Sequence, residues 1–216
     1  MKNSPLSICL TTTLLTLGLS MSTFAQDSTT PKTEEKPGGG TDPQMMATMM
    51  EMAKPGENHK IFADAVGSWT YKVKWWMSPE APPMESTGNC STKPVMDGRY
   101  FISEHSGNMS MPGADGKMMD VPFHGMGTEG YDNAKKKFVA SWIDNMGTGI
   151  MSMEGTYDPA SKTITYVGEE QPMPGVKFKM RQTETTIDKD HRALEFFEVH
   201  GDKEVKVMEI AYTRAS

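Results

Sequence analysis

Cysteine is nearly absent: the chain has two in 216 residues. One of them, Cys9, lies in a leader-like segment, so only Cys90 remains in the body of the protein. A single thiol forms no intramolecular disulfide, and the fold has to rest on its apolar core. No feature of the sequence marks a base beside Cys90, which reads as a small, semi-buried residue. Basic excess is also absent. Lys and Arg total 22 against 28 Asp and Glu, and the pI is near 5.4, which removes most electrostatic attraction to nucleic acid and anionic lipid. No long apolar run is present, so a multi-span membrane protein is excluded and no stable membrane insertion is expected. Gly-x-Ser-x-Gly, the P-loop and Cys-x-x-Cys are all missing. Gly125-Met126-Gly127 with Gly130 has dinucleotide-binding spacing. It runs into Tyr131-Asp132-Asn133 and a second strand pattern rather than a helix, so that function is rejected and no cofactor is expected.

Methionine and glycine are plentiful, at 21 and 20 residues, while hydrophobic residues make up 37% and charged residues 23%. This composition fits one globular domain with unstructured sequence attached. Residues 1–25 read as a secretory signal peptide. Lys2 precedes an uncharged stretch from Leu6 to Leu19, and Ala25 marks a cleavage point before Gln26. Removing the leader takes away one Lys and no acid, and implies an exported protein, periplasmic or secreted. Residues 26–42 form a linker of Ser, Thr, Pro, Lys, Glu and three consecutive glycines. Residues 43–66 are expected to hold one or two short helices. Asp42-Pro43 is a start signal for the first, and Gly67 ends the second.

From 67 to 216 the period changes to two. About ten β-rich runs are separated by turn clusters such as Asp97-Gly98, Asp132-Asn133, Asp158-Pro159 and Gly201-Asp202. Short turns between successive strands mean antiparallel neighbours, and ten half-buried strands avoid exposed edges by closing. The expected fold is therefore all-β, an up-and-down antiparallel barrel of about ten strands. Greek-key arrangements need several long connections, and here only 109–121 is long.

Gly67-Ser68-Trp69 on the first strand, with Arg214 on the last, resembles the lipocalin and calycin signature. That resemblance implies a barrel closed at one end by Arg214 packed across the Trp69 ring, a cation–π contact of about 0.5–2 kcal/mol. A larger set of residues carries a closer resemblance. It comprises Pro55-Gly56-Glu57-Asn58-His59-Lys60, Gly98-Arg99-Tyr100, Pro122-Phe123-His124-Gly125-Met126-Gly127, Gly130-Tyr131-Asp132-Asn133, Ser141-Trp142-Ile143-Asp144, Glu154-Gly155 and Glu209-Ile210-Ala211-Tyr212-Thr213-Arg214. Over about residues 55–214 it is similar to a bacterial exported family known as domain of unknown function 1579. The resemblance implies a calycin-like barrel and no established activity.

Three functions follow from the side chains. The first is a non-enzymatic barrel holding a small apolar or amphipathic ligand. Charged and aromatic residues on apolar strand faces, Arg99, Trp142, Arg181 and Glu195, are the expected cavity cluster. The second is Cu(I) handling in an oxidising compartment by Met109, Met111, Met118, Met119, His124 and Met126, since thioethers with a nearby imidazole suit a soft ion. The histidines His59, His105, His124, His191 and His200 have no paired spacing, so no zinc signature is present. The third is an enzyme using cavity carboxylates, with no recognisable nucleophile and base.

Overall fold

The computed structural model describes residues 42–113 and 115–216. The leader at 1–25 and the linker up to residue 41 lie outside the described residues. Helix α1 spans Pro43–Met52 and is capped by Asp42, whose carboxylate accepts from the Gln44 amide at 2.9 Å. Every Met side chain on α1 is exposed. A short helix α2, Glu57–Lys60, continues into a 3-10 turn at Ile61–Ala65. His59 is buried here because its Nδ1 accepts the Gly56 amide at 3.0 Å, and its ring edge meets Tyr131. His59 is thus a helix-start residue.

Ten strands follow: β1 Gly67–Trp75, β2 Met84–Val95, β3 Tyr100–Pro112, β4 Met118–Asp132, β5 Lys137–Asp144, β6 Met151–Asp158, β7 Thr163–Met173, β8 Val176–Thr186, β9 His191–His200 and β10 Lys203–Arg214. Each pairs antiparallel with its sequence neighbour, and β1 pairs with β10, so the sheet closes into a barrel. Closure leaves no edge strand, as the run of short turns requires.

The segment 109–121 departs from expectation. It is not a loop but the outer end of the β3–β4 hairpin, paired as far as Pro112 with Met118. The Gly113 amide donates to the Lys117 carbonyl at 2.7 Å and closes the turn. Its alternation was hidden because this end of the hairpin carries Met on both faces.

One end of the barrel is sealed. Phe62 from the 3-10 turn enters the barrel and meets the Phe101 and Phe138 rings at 5.2 and 5.7 Å. Ile164, Tyr166, Met153, Met180 and Phe196 complete that core, and Trp69, Tyr71, Cys90 and Tyr212 form a second cluster beside it. Burying a large apolar side chain contributes roughly 1.5–3 kcal/mol, so these layers dominate the stability. Asn133 donates to the Met52 and Lys54 carbonyls, both at 2.8 Å, and Arg99 donates to the Ala53 carbonyl at 2.8 Å. These bonds fasten the end of α1 to the sealed pole. Arg214 lies 4.2 Å from the Trp69 ring centroid and donates to the carbonyls of Asp64, Val66 and Lys189 at 2.8–2.9 Å.

Candidate functional site

The other pole is open. A cavity of about 920 Å³ runs down the barrel from the β3–β4 and β7–β8 hairpins and the β5–β6 loop. Which residues reach it follows from strand alternation. Inward positions supply Met153, Met180, Phe196, Met208 and Ile210 to its walls and Phe123 and Trp142 to the upper part. The Phe123 and Trp142 rings stack with centroids 6.4 Å apart, and Trp142 Nε1 donates to Asp144 at 2.7 Å. Gly125 makes room for this arrangement, since a β-carbon there would overlap the Trp142 ring.

Toward the sealed pole the lining becomes polar. Glu129 on β4, Gln182 and Glu184 on β8, and Arg192 on β9 converge. Tyr166 Oη donates to Glu129 at 2.8 Å, Gln182 Nε2 donates to Glu184 at 2.6 Å, and Arg192 donates to Glu184 at 3.3 Å. The Glu129 and Glu184 side chains are also within hydrogen-bonding reach of each other. Burial, and then the neighbouring Glu129 charge, push the Glu184 carboxyl well above the usual carboxylate range, against the pull of Arg192. The raised Glu184 carboxyl therefore keeps its proton at neutral pH, with Glu129 beside it as an acceptor.

A second polar group lies beside the floor. His105 Nε2 and the Tyr212 hydroxyl are 3.1 Å apart, and the His105 ring meets Trp142 edge-on at 5.1 Å. Burial, reinforced by the Arg192 charge, lowers the His105 pKa to about 4, so the imidazole is neutral. Burial pushes the Cys90 thiol up to about 11, which makes it an inert thiol near neutral pH.

Of the expected cavity cluster, only Trp142 lines the cavity. Arg99 sits in the turn at the sealed pole, bonded to the Met96 carbonyl and Asp97 as well as to Ala53. Arg181 lies on the outer wall, its guanidinium 3.9 Å from the Phe197 ring and paired with Glu204 at 2.6 Å. Glu195 is also outside, paired with Lys206 at 2.7 Å. The reason is that Ala193 and Phe197 give the outer face of β9 an apolar look. Arg181 covers Phe197 from the solvent side, so the wrong phase of β8 and β9 was read as inward. The correct phase was signalled by Phe178 and Met180, which alternate with Lys177, Lys179 and Arg181 and place Gln182 and Glu184 inside.

The methionine set also divides. In the β3–β4 register Met109 and Met111 share one face with Met119, which pairs with Met111. Met118, His124 and Met126 fall on the opposite face. The six residues therefore cannot converge on one ion. Among the described residues, no cluster of three or more His, Cys, Asp or Glu is placed to hold a metal.

The fold and the site define an antiparallel barrel around a cavity, closed at one pole by an aromatic plug and polar at the cavity floor. Residues 54–214 match the family model described as Protein of unknown function (DUF1579), and the chain belongs to that family. No curated protein matches it. Among solved structures it is similar to that of Rv2717c from M. tuberculosis, with TM-score 0.52 and 14% identity, over 76% of this chain and 100% of that one. It also aligns with the S-type phycobiliprotein lyase CPES from Guillardia theta, with TM-score 0.45 and 10% identity, over 78% of this chain and 97% of that one. At 14% identity the likeness to Rv2717c is one of fold alone. Among the described residues, no helix is long and apolar enough to cross a membrane.

Proposed function

We propose that the protein is a non-enzymatic binding barrel that holds one small amphipathic molecule in its cavity. The observation that carries this reading is the cavity of about 920 Å³, open at one pole, with apolar walls and a buried polar floor. A space of that size admits a single ligand, with walls that take an apolar body and a floor that orients a polar head. Trp142 gives the test its signal, because its ring lines the cavity. Titration with an apolar fluorescent dye, N-phenyl-1-naphthylamine, is expected to saturate at one equivalent and to receive energy from tryptophan. Ala140→Phe, which narrows the cavity from an inward position, is expected to weaken that binding. Dye binding left unchanged by the narrowed cavity, or none to the wild type, overturns the reading.

The same proposal places the barrel outside the cytoplasm, on the strength of the signal-like residues 1–25. N-terminal sequencing of the exported protein is expected to begin at Gln26, whereas a cytoplasmic product retaining residues 1–25 overturns export.

A further inference from the structure

The charges on the cavity wall are one-sided. Among the described residues, Glu129 and Glu184 lie at the floor and Asp144 and Glu170 higher up, against one guanidinium, Arg192, and no lysine. The outer wall is different, because there Arg181, Lys206 and Lys74 each meet a carboxylate. We propose that the ligand is an amphipathic cation of the alkylammonium class, with its charged head between Glu129 and Glu184 and its tail along the methionine and aromatic walls. This rests on the binding reading above and narrows its ligand.

The floor carries the argument. Glu129 has a donor in Tyr166, and Glu184 has donors in Gln182 and Arg192. None of these donors is shared by the two carboxyl groups, which lie within hydrogen-bonding reach of each other and require either a proton or a cation there. In the empty barrel a proton does this, consistent with the raised Glu184 carboxyl. A primary ammonium head brings positive charge and three N–H donors to the same place and displaces that proton. An anionic head would face two acidic groups with only Arg192, already bonded to Glu184, in compensation. A hydroxyl head has no charge to offer. The rings of Tyr71, His105 and Trp142 along the way favour a cation over an anion as well.

Displacement of a proton predicts a pH signature. The groups that bear on Glu184 are Glu129 from β4, Tyr166 from β7, Arg192 from β9, Tyr212 from β10 and Cys90 from β2. Burial raises both tyrosines and Cys90 away from neutrality, which leaves the raised Glu184 carboxyl as the group of the floor that exchanges a proton there, while Glu170, also raised by burial, lies higher up the wall. His105, from β3, is neutral throughout that range.

The experiment is calorimetric titration of the wild-type protein with decylamine, decanol and decanoate at pH 6, 7 and 8. Decylammonium is expected to bind about tenfold tighter than decanol, with decanoate weakest. Its affinity is expected to rise by up to about tenfold per pH unit, while that of decanol stays flat. Glu184→Gln and Glu129→Gln are each expected to shrink the amine-to-alcohol preference toward parity. Decanol or decanoate binding as tightly as the amine overturns the cationic ligand and leaves the binding barrel standing. Absence of binding by all three overturns both. If neither substituted protein folds, the wild-type pH slope decides, and a flat slope for the amine overturns the proposal.

Discussion

Replacing Arg214 with Ala removes the clasp that joins the last strand to the first and to the helical plug. Its guanidinium makes three hydrogen bonds, to the carbonyls of Asp64, Val66 and Lys189, and covers Trp69, itself 1% exposed. The Arg214 side chain is 31% exposed, so each bond is worth about 1 kcal/mol rather than the larger figure for a buried charge. Loss of the cation–π contact adds about 0.5–1 kcal/mol. Water reaches the exposed Asp64 and Lys189 backbone and restores part of the loss, leaving a net destabilisation of about 2–3 kcal/mol. Arg214→Lys keeps the charge but cannot span three diverging carbonyls, and is expected to recover about 1 kcal/mol. The assay is urea unfolding followed by far-ultraviolet circular dichroism, with midpoints compared at constant slope. A wild-type midpoint in Arg214→Ala refutes the reasoning, and so does a lysine variant as stable as the arginine.

His105 predicts a loss of stability in acid. The unfolded imidazole takes up a proton below its ordinary value of 6.5, whereas the folded one resists to about 4. Stability should therefore fall across that window by about 3 kcal/mol, a loss that His105→Gln removes in a pH series of urea melts. Glu184 acts in the opposite direction. Its raised carboxyl keeps a proton that the unfolded chain releases, so stability declines as pH rises above the ordinary carboxylate range, and Glu184→Gln should flatten that limb in the same melts. Gly125→Ala pushes the Trp142 ring out of place and is expected to cost about 1–3 kcal/mol with a shift of tryptophan emission. The Cys90 thiol, 4% exposed and raised to about 11, should resist a disulfide reagent at pH 8 until urea unfolds the barrel; prompt reaction of the native protein contradicts its burial.

Strand number and closure were legible because turn chemistry punctuates the chain at regular intervals and the alternation between turns is strong. The N-terminal helices were legible from Asp42-Pro43 and Gly67. The hairpin at 109–121 was not, because methionines on both faces erased the alternation that would have marked it. The polar floor escaped notice for a related reason. Glu129, Glu184 and Arg192 come from β4, β8 and β9, and only barrel closure brings them together. Their phase was readable strand by strand: Glu129 alternates in step with Phe123 and the small Gly125 and Gly127, Glu184 with Phe178 and Met180, and Arg192 with Leu194 and Phe196. Outer-wall Phe197 competed with that signal on β9. Val207 adds a complication on β10, since the register shift between Lys206 and Met208 moves Lys206 to the outer wall with Glu195 and Glu209. No inspection of a single strand reveals such a shift.

That the cavity holds one amphipathic molecule is tested by native mass spectrometry of the protein incubated with excess decylamine and exchanged into volatile buffer without detergent. A single added equivalent is expected, reduced on Ala140→Phe and released on denaturation. A bare protein mass, or a ladder of adducts equally present on the narrowed variant, contradicts a ligand held in the cavity.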